Sequence, residues 1–250
     1  MSLSLSIVNG IVNVNKITLP SRYFVFDEAK ERYIKLLTVG EGVFPKDRID
    51  HQIVLENSSL VLANESACKV YKNLGEKSAR VRYNLRLKNS AAEFINDELI
   101  LFEMAKLFHF LRVSFDRASF FFYCDLLSGG RSYESFDFER LSVQNTFIFE
   151  DQTEYLERFT IGGAELKDYH RRHNGGSLFA KIYVKPAEIE SFAAALRDMG
   201  VTSYEWTRSR VMLLIVLLGD TIAALKKQIV SIWQAYRANM GKQPFDLGKR

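Results

Sequence analysis

The chain has 250 residues, enough for one large domain or two small ones, and 47% of them are hydrophobic while 26% are charged. Its 34 basic and 30 acidic residues leave a formal charge of +4, which is too small a bias to predict binding to nucleic acid or to a membrane surface. The longest strongly apolar run, residues 211–218, falls far short of the roughly 20 residues that span a bilayer. No secretion signal is expected at the amino terminus, and two widely separated cysteines indicate a reducing cytoplasm.

Residues 2 to about 161 mostly predict β-strands. Ala79–Lys88 shows the clearest pattern, because apolar residues alternate there with Arg, Asn and Lys and so predict one buried and one wet face. Similar runs predict strands over 3–8, 11–17, 33–38, 51–55, 59–63, 94–102, 108–115, 141–149 and 155–161. Many short strands separated by turns favour a sandwich, a barrel or a stacked β-solenoid, and no fixed-period repeat decides among them.

The pattern changes beyond Gly163. Polar, glycine-ended residues 164–176 predict a linker or loop. The rest of the chain predicts a strand, a helix, two strands and a helix over 178–184, 186–200, 203–207, 211–218 and 220–241. Asp220 is placed to cap the last helix, and residues 211–218 are apolar on both faces, as in a central strand covered on both sides.

The predicted fold is therefore mainly β. Residues 1–163 are expected to form a scaffold of stacked sheets resembling a β-helix, followed by the linker at 164–176. Residues 177–250 are expected to form a β-α-β-β-α region whose two helices cover one face of a sheet, packed on the scaffold as one structural unit.

Four blocks of sequence carry a family resemblance. They are YIKLLTVGEGVFPKDRID at 33–50, LANESACKVYKN at 62–73, the strand, turn and strands of 121–161, and LIVLLGDTIAALKKQIVSIWQAYRANMGKQPFDL at 214–247. In this order and spacing they resemble the UreD (also called UreH) family of urease accessory proteins. Two departures concern loops, because Phe44-Pro45-Lys46 precede Asp47 and Asn96-Asp97-Glu98 replace a proline-rich turn.

The resemblance implies a urease maturation factor and not an enzyme. Such a protein docks on apo-urease and helps deliver nickel, together with UreF and with the GTPase UreG, which is recruited through UreF. No tightly bound cofactor is implied, only Ni²⁺ in transit. Two alternatives stay open: a β-helix hydrolase or lyase with paired carboxylates, and a β-rich binding module unrelated to urease.

Three acids lie inside the matched blocks: Asp47, Asp125 and Glu157. The resemblance implies a water-filled passage for nickel, and these acids are candidates to line it. Isolated carboxylates suit transit, since they hold a hydrated cation more weakly than a His/Cys cage does. The structural alternative is that Asp47 caps a turn, Asp125 pairs with Arg131, and Glu157 pairs with a cation on a neighbouring strand.

His170 and His173 have the spacing to place two imidazoles on one helical face, but flanking arginines and the predicted loop oppose a metal site there. The other histidines, His51 and His109, are expected in packing or surface positions. No phosphate-binding loop or nucleophile elbow occurs, so neither nucleotide binding nor nucleophilic catalysis is indicated.

Candidate partner surfaces are basic or aromatic. Arg80, Arg82, Arg86 and Lys88 share one face of a strand, which is either a solvated face or a landing face for an acidic protein. Nucleic acid is not expected, because aromatic residues do not alternate with these cations on that strand. Other candidates are Arg131, half of the rings at 120–123, and the tail residues Pro244 and Phe245, an end of the chain through which the resemblance implies contact with UreF.

Overall fold

The structure is a computed structural model that describes residues 2–19, 21–28, 31–38, 41–129, 136–173 and 178–248. Within these residues it contains 16 strands and three helices. In chain order they are β1 (Ser2–Val8), β2 (Ile11–Thr18), β3 (Ser21–Glu28), β4 (Glu31–Thr38), β5 (Arg48–Glu56), β6 (Ser59–Asn64), β7 (Cys68–Val70), β8 (Ala79–Lys88), β9 (Ala91–Leu101), β10 (Lys106–Phe115), β11 (Phe120–Ser128), β12 (Arg140–Phe149), β13 (Gln152–Ile161), α1 (Gly163–His173), β14 (Leu178–Lys185), α2 (Ile189–Asp198), β15 (Tyr204–Trp206), β16 (Leu213–Gly219) and α3 (Ile222–Asn239).

The strands form two sheets. The seven-stranded sheet has the order β13-β12-β10-β8-β5-β1-β2, and the nine-stranded sheet has the order β15-β16-β14-β11-β9-β6-β4-β3, with β7 also pairing with β9. From β4 to β12 the chain passes back and forth between the sheets, and neighbouring strands within each sheet are parallel. The result is a β-solenoid of about three turns, which confirms the predicted mainly β, β-helix-like scaffold.

Successive turns of the solenoid differ in length. Arg48 pairs with Arg80 and Arg80 with Phe108, which are steps of 32 and 28 residues. Lys106 pairs with Arg140, a step of 34 residues. These unequal steps explain why the sequence shows no fixed period.

An asparagine ladder marks one corner of the solenoid. Asn9, Asn57 and Asn89 occupy equivalent turn positions with φ of 50°, 49° and 46°. Asn57 Nδ2 donates to Asn9 Oδ1 at 3.0 Å, and Asn89 Nδ2 donates to Asn57 Oδ1 at 2.8 Å. Asparagine suits the corner because it tolerates the left-handed backbone and its amide can both donate and accept.

We expect Asn57→Ala to lower the free energy of unfolding by about 1–3 kcal/mol. The alanine loses both ladder hydrogen bonds and lacks the polar side chain whose local hydrogen bonding makes the left-handed region tolerable for asparagine. Asn57→Gly is the matched control, since it loses the same bonds without backbone strain. Urea denaturation of the two variants checks this, and an alanine variant as stable as the original protein would contradict it.

The carboxy-terminal region continues the nine-stranded sheet. Strands β14, β16 and β15 add to its edge, with α2 and α3 in the predicted β-α-β-β-α order. The capping prediction is corrected by one residue, because Thr221 is the N-cap of α3 and its side chain accepts from Ala224 N at 3.1 Å. None of the helices within the described residues is long and apolar enough to cross a membrane.

The predicted linker is largely a helix. Residues 164–176 were expected to be a loop because of their polar composition, but α1 spans Gly163–His173. Leu166 of this helix is buried, and Glu165 in its first turn accepts a hydrogen bond from Gly162 N at 2.7 Å. A buried leucine, an acidic first turn and the ion pairs of Lys167 with Asp137 and of Arg172 with Asp168 accompany this mainly exposed helix.

The doubly covered strand is not the one predicted. β16 has only the short β15 beyond it, and Leu218 is 45% exposed. Instead, β11 is buried on both faces: Phe121 packs on Phe147 of the opposite sheet, and Phe122 contacts Tyr236 of α3. The exposed aromatic patch considered for 120–123 is thus largely absent, because α3 covers this face.

A buried ionic cluster attaches α3 and the tail to the solenoid. Glu93 of β9 is fully buried and accepts from Trp233 Nε1 at 2.6 Å, Arg237 Nη1 at 2.7 Å and Lys242 Nζ at 2.6 Å. Glu31 of β4 also pairs with Arg237 and Lys242. Burial raises the pKa of Glu31, but the hydrogen bonds from these two cations outweigh it and leave that pKa lowered.

Candidate functional site

Polar side chains recur on successive turns of the solenoid, between the two sheets. In the nine-stranded sheet, Asn64 Nδ2 donates to Asn96 Oδ1 at 2.8 Å, and Asn96 Nδ2 donates to Asp125 Oδ1 at 3.1 Å. In the seven-stranded sheet, Tyr83 is aligned with His51 of β5, and its ring centroid lies 5.9 Å from that of His109 on β10. Parallel stacking therefore brings residues from distant parts of the sequence into one interior line.

Three neighbouring cavities follow this line, and we call them together the interior row. The first has about 80 Å³ and is lined in part by His51, Cys68 and Tyr83. The second has about 20 Å³ and shares Cys68 and Tyr83 with the first. The third has about 40 Å³ and shares His109 and Asp125 with the second. Shared walls make the cavities consecutive, and each has room for at least one water molecule.

Asp125 lies where the second and third cavities meet. Its Oδ1 accepts from Tyr123 OH at 2.9 Å and from Asn96, and His109 Nε2 lies 4.0 Å away. Burial raises the pKa of this carboxyl group against the opposing effect of His109 and the two hydrogen bonds. Because 30% of its side-chain surface is accessible and it lines both cavities, the carboxylate faces the interior row.

Glu157 lines the third cavity from β13. Lys181 Nζ pairs with its Oε1, while Tyr183 OH donates to Oε2 at 2.6 Å and Asn145 Nδ2 at 3.1 Å. Burial raises the pKa of Tyr183, so this hydroxyl stays protonated and remains a donor. Glu157 does pair with a cation, but Lys181 belongs to β14 of the opposite sheet and not to a neighbouring strand, and the pair lies beside the cavity instead of on a wet face.

His51 and Cys68 line the first cavity. Burial lowers the pKa of His51 to about 4, so its imidazole is neutral, and its buried Nδ1 has no hydrogen-bond partner within the described structure. Burial, followed by the charge of Asp125, raises the pKa of Cys68 to about 12, so this residue is a thiol. A neutral imidazole keeps one nitrogen with an electron pair that can accept, whereas the thiol offers only a weak donor.

The remaining metal candidates lie elsewhere. Asp47 accepts from Phe44 N at 2.9 Å in a turn outside the interior row. The backbone of His170 and His173 belongs to α1, but their side chains lie outside the described residues, as does all of Arg131. In the described ranges, no three His, Cys, Asp or Glu side chains form a group that could hold a metal ion.

Comparison with known proteins settles the family. The family model described as "UreD urease accessory protein" matches residues 23–248. The chain belongs to this family. A UreD relative from Aliarcobacter butzleri is 40% identical over the whole length of both proteins. A UreD relative from Staphylococcus aureus strain bovine RF122 is 27% identical over 56% of this chain and 48% of its own length.

Membership identifies the chain as a urease maturation factor of the UreD family and not as an enzyme. This removes the alternatives of a β-helix hydrolase or lyase and of a module unrelated to urease. The family role in nickel metallocentre assembly gives the polar interior of this UreD protein its functional context.

Several of the candidate partner residues of the UreD protein are paired or buried in the structure, and others are exposed. Arg82 pairs bidentately with Asp50, and Lys88 pairs with Glu56 at 2.7 Å. Phe245 is buried against Trp233 and Tyr33, so it anchors the tail instead of presenting a surface, whereas Pro244 is exposed. An isolated Phe in a polar tail gives no local sign that a helix and a strand will enclose it.

Sequence reasoning missed most of the interior row. His51 and His109 were assigned to packing or surface positions, and Asn64 and Asn96 received no role. A signal was present, since LVLAN, AEFIN and FFYCD each end an apolar run with a polar residue. These three endings become neighbours once the strands are stacked in register.

Proposed function

We propose that this UreD protein delivers nickel to apo-urease by guiding Ni²⁺ along the interior row. The observation that supports the proposal is the succession of three adjacent cavities that share polar lining residues. Two acids within the matched family blocks, Asp125 and Glu157, line the third cavity. The protein has no tightly bound cofactor in this proposal, and nickel is its cargo.

The donors of the row suit passage better than storage. Amide and carboxylate oxygens and one neutral imidazole succeed one another, and in the described residues they do not gather into a multidentate cage. An ion that meets one or two protein ligands at a time exchanges easily, as conduction requires. The middle cavity of about 20 Å³ has room for about one water, so a fully hydrated ion must shed water there or separate the sheets.

The partners in this proposal are those of a cytoplasmic maturation complex. UreF binds this protein, UreG is recruited through UreF, and apo-urease receives the nickel. Membership of the UreD family supports a maturation complex as the setting. No nucleic acid and no membrane takes part in the proposed function.

The test compares cells that express the matching urease and accessory genes with and without this one. We expect both urease activity and the nickel content of purified urease to be lost without the gene and restored by the intact copy. Normal activity and normal nickel content in its absence would sink the proposal. Urease protein levels serve as the control, because delivery of nickel and not synthesis of urease is at issue.

A further inference from the structure

A basic cavity of about 250 Å³ opens on the outer side of the seven-stranded sheet, away from the interior row. Five of its eight lining residues are cations, and one, Glu76, is an acid. The cations are Lys46, Arg48, Lys77, Arg80 and Arg140. They come from three separate segments, 46–48, 77–80 and position 140, so the solenoid brings cations that are distant in sequence into one cavity.

Much of this charge is uncompensated. Lys46, Lys77 and Arg80 make no ion pair within the described part of the chain. Arg80 is exposed, and its guanidinium lies over the ring of Phe110. Like charges held together in this way repel one another. An anion in the cavity is attracted by all of them at once and reduces their mutual repulsion.

Arg140 adds a second, independent sign of a ligand. Its Nη2 donates to Ser78 Oγ at 3.0 Å, and its guanidinium lies over the ring of Phe108. Its Nε is buried and has no hydrogen-bond partner in the described structure. A buried N–H without an acceptor is costly, and an oxyanion that displaced the atoms covering this Nε would supply the missing acceptor.

The surroundings of the cavity favour a protein as the source of the anion. Nucleic acid needs an extended basic track, but Arg82 and Lys88 on the same face of β8 are already paired with Asp50 and Glu56, and these pairs interrupt such a track. Phe108 and Phe110 stack beside the cavity, and aromatic residues next to arginine are typical of protein interfaces.

We propose that the basic cavity binds carboxylates on an acidic segment of a partner protein. The site differs from the strand face considered from sequence, since it retains Arg80 but replaces the paired Arg82 and Lys88 with cations from other turns. The proposal goes beyond nickel delivery, because it concerns the outer face of the sheet and involves none of the residues of the interior row.

The test measures fluorescence anisotropy of a short fluorescein-labelled, glutamate-rich peptide with the purified full-length protein at low salt. We expect Arg80→Gln together with Arg140→Gln to weaken peptide binding by about tenfold or more, since two charge-assisted contacts are lost. Arg86→Gln is the matched control. Arg86 is exposed on the same face of β8 but does not line the cavity, so binding should change by less than about twofold.

Thermal unfolding of each variant shows whether it is folded. If the double variant does not fold, Lys46→Gln with Lys77→Gln replaces it, because both lysines are exposed. Equal binding by the cavity variants and the original protein overturns the proposal, as does an equal loss in Arg86→Gln. Tighter binding of a single-stranded oligonucleotide than of the peptide also overturns it. None of these readouts depends on urease, so the nickel proposal stands or falls separately.

Discussion

Asp125→Asn is expected to lower the nickel content and activity of urease on the order of tenfold, while the variant remains at least as stable as the original protein. The amide keeps an oxygen that can accept from Tyr123 and Asn96, so the local structure is preserved. It lacks the charge that attracts a cation at the meeting point of two cavities.

The stability half of this expectation follows from the raised pKa of Asp125. A carboxyl group whose pKa is higher in the folded than in the unfolded state destabilises the fold once pH rises above the unfolded value near 3.8. Asparagine does not ionise, so Asp125→Asn does not carry this destabilisation. Between the unfolded and the raised folded pKa, the original protein should lose stability relative to Asp125→Asn as pH increases, and thermal melts across that interval measure the difference.

Two further variants make the delivery experiment specific. Glu157→Gln should also lower nickel content, since it removes the second acid of the third cavity while keeping an oxygen for Tyr183. Asp47→Asn is the matched control, because Asp47 lies in a turn outside the interior row and asparagine can keep its bond to Phe44 N. A loss in Asp47→Asn as large as in Asp125→Asn would contradict the assignment of the interior row.

Glu93→Gln is expected to cause the largest loss of stability, about 3–5 kcal/mol. After the substitution, the single carboxylate of Glu31 must balance the charges of both Arg237 and Lys242. The side chain of Arg237 is only 1% exposed, so its charge is desolvated. Removing one partner from a buried ionic cluster is costly because a desolvated charge remains. Guanidinium denaturation monitored by tryptophan fluorescence measures the loss, and Trp233 contributes to this signal through an indole that donates directly to Glu93.

Glu56→Gln is the control for this experiment. Its exposed pair with Lys88 is screened by solvent, so the loss should be far smaller.

The lowered pKa of Glu31 adds a pH test of the same cluster. Its stabilisation is full above the unfolded value near 4.5 and is lost as pH falls through the lower folded pKa. A Glu93→Gln variant as stable as Glu56→Gln would show that the cluster does not hold α3 in place.

The sequence predicted the strands well because their evidence is local. In β8, alternation of apolar and basic residues corresponds residue by residue to the buried and exposed pattern of the strand. The amphipathic helices α2 and α3 were predicted for the same reason. Helix α1 was missed because a single buried leucine gives too weak a periodic signal.

The candidate site was predicted only in part. Asp125 and Glu157 were named from the family resemblance, and the structure places both on one cavity. His51 was assigned to a packing or surface position, and Asn64 and Asn96 were given no role, because each alone is an ordinary polar residue at the edge of an apolar run. The basic cavity was also hidden, since Lys46 and Arg140 are distant in sequence and line one cavity only because the turns of the solenoid stack.

The sequence by itself determined the family, the β-rich composition, most strand positions and the β-α-β-β-α order of the carboxy-terminal region. Only the tertiary structure decided which strands pair, which faces are covered and which polar residues line a common cavity. The physical reason is that the alternation of side chains in a strand depends on a few consecutive residues, whereas the register between parallel strands depends on backbone pairing between residues about 30 positions apart. Because the turns differ in length, the stacking that creates the interior row cannot be read from any period in the chain.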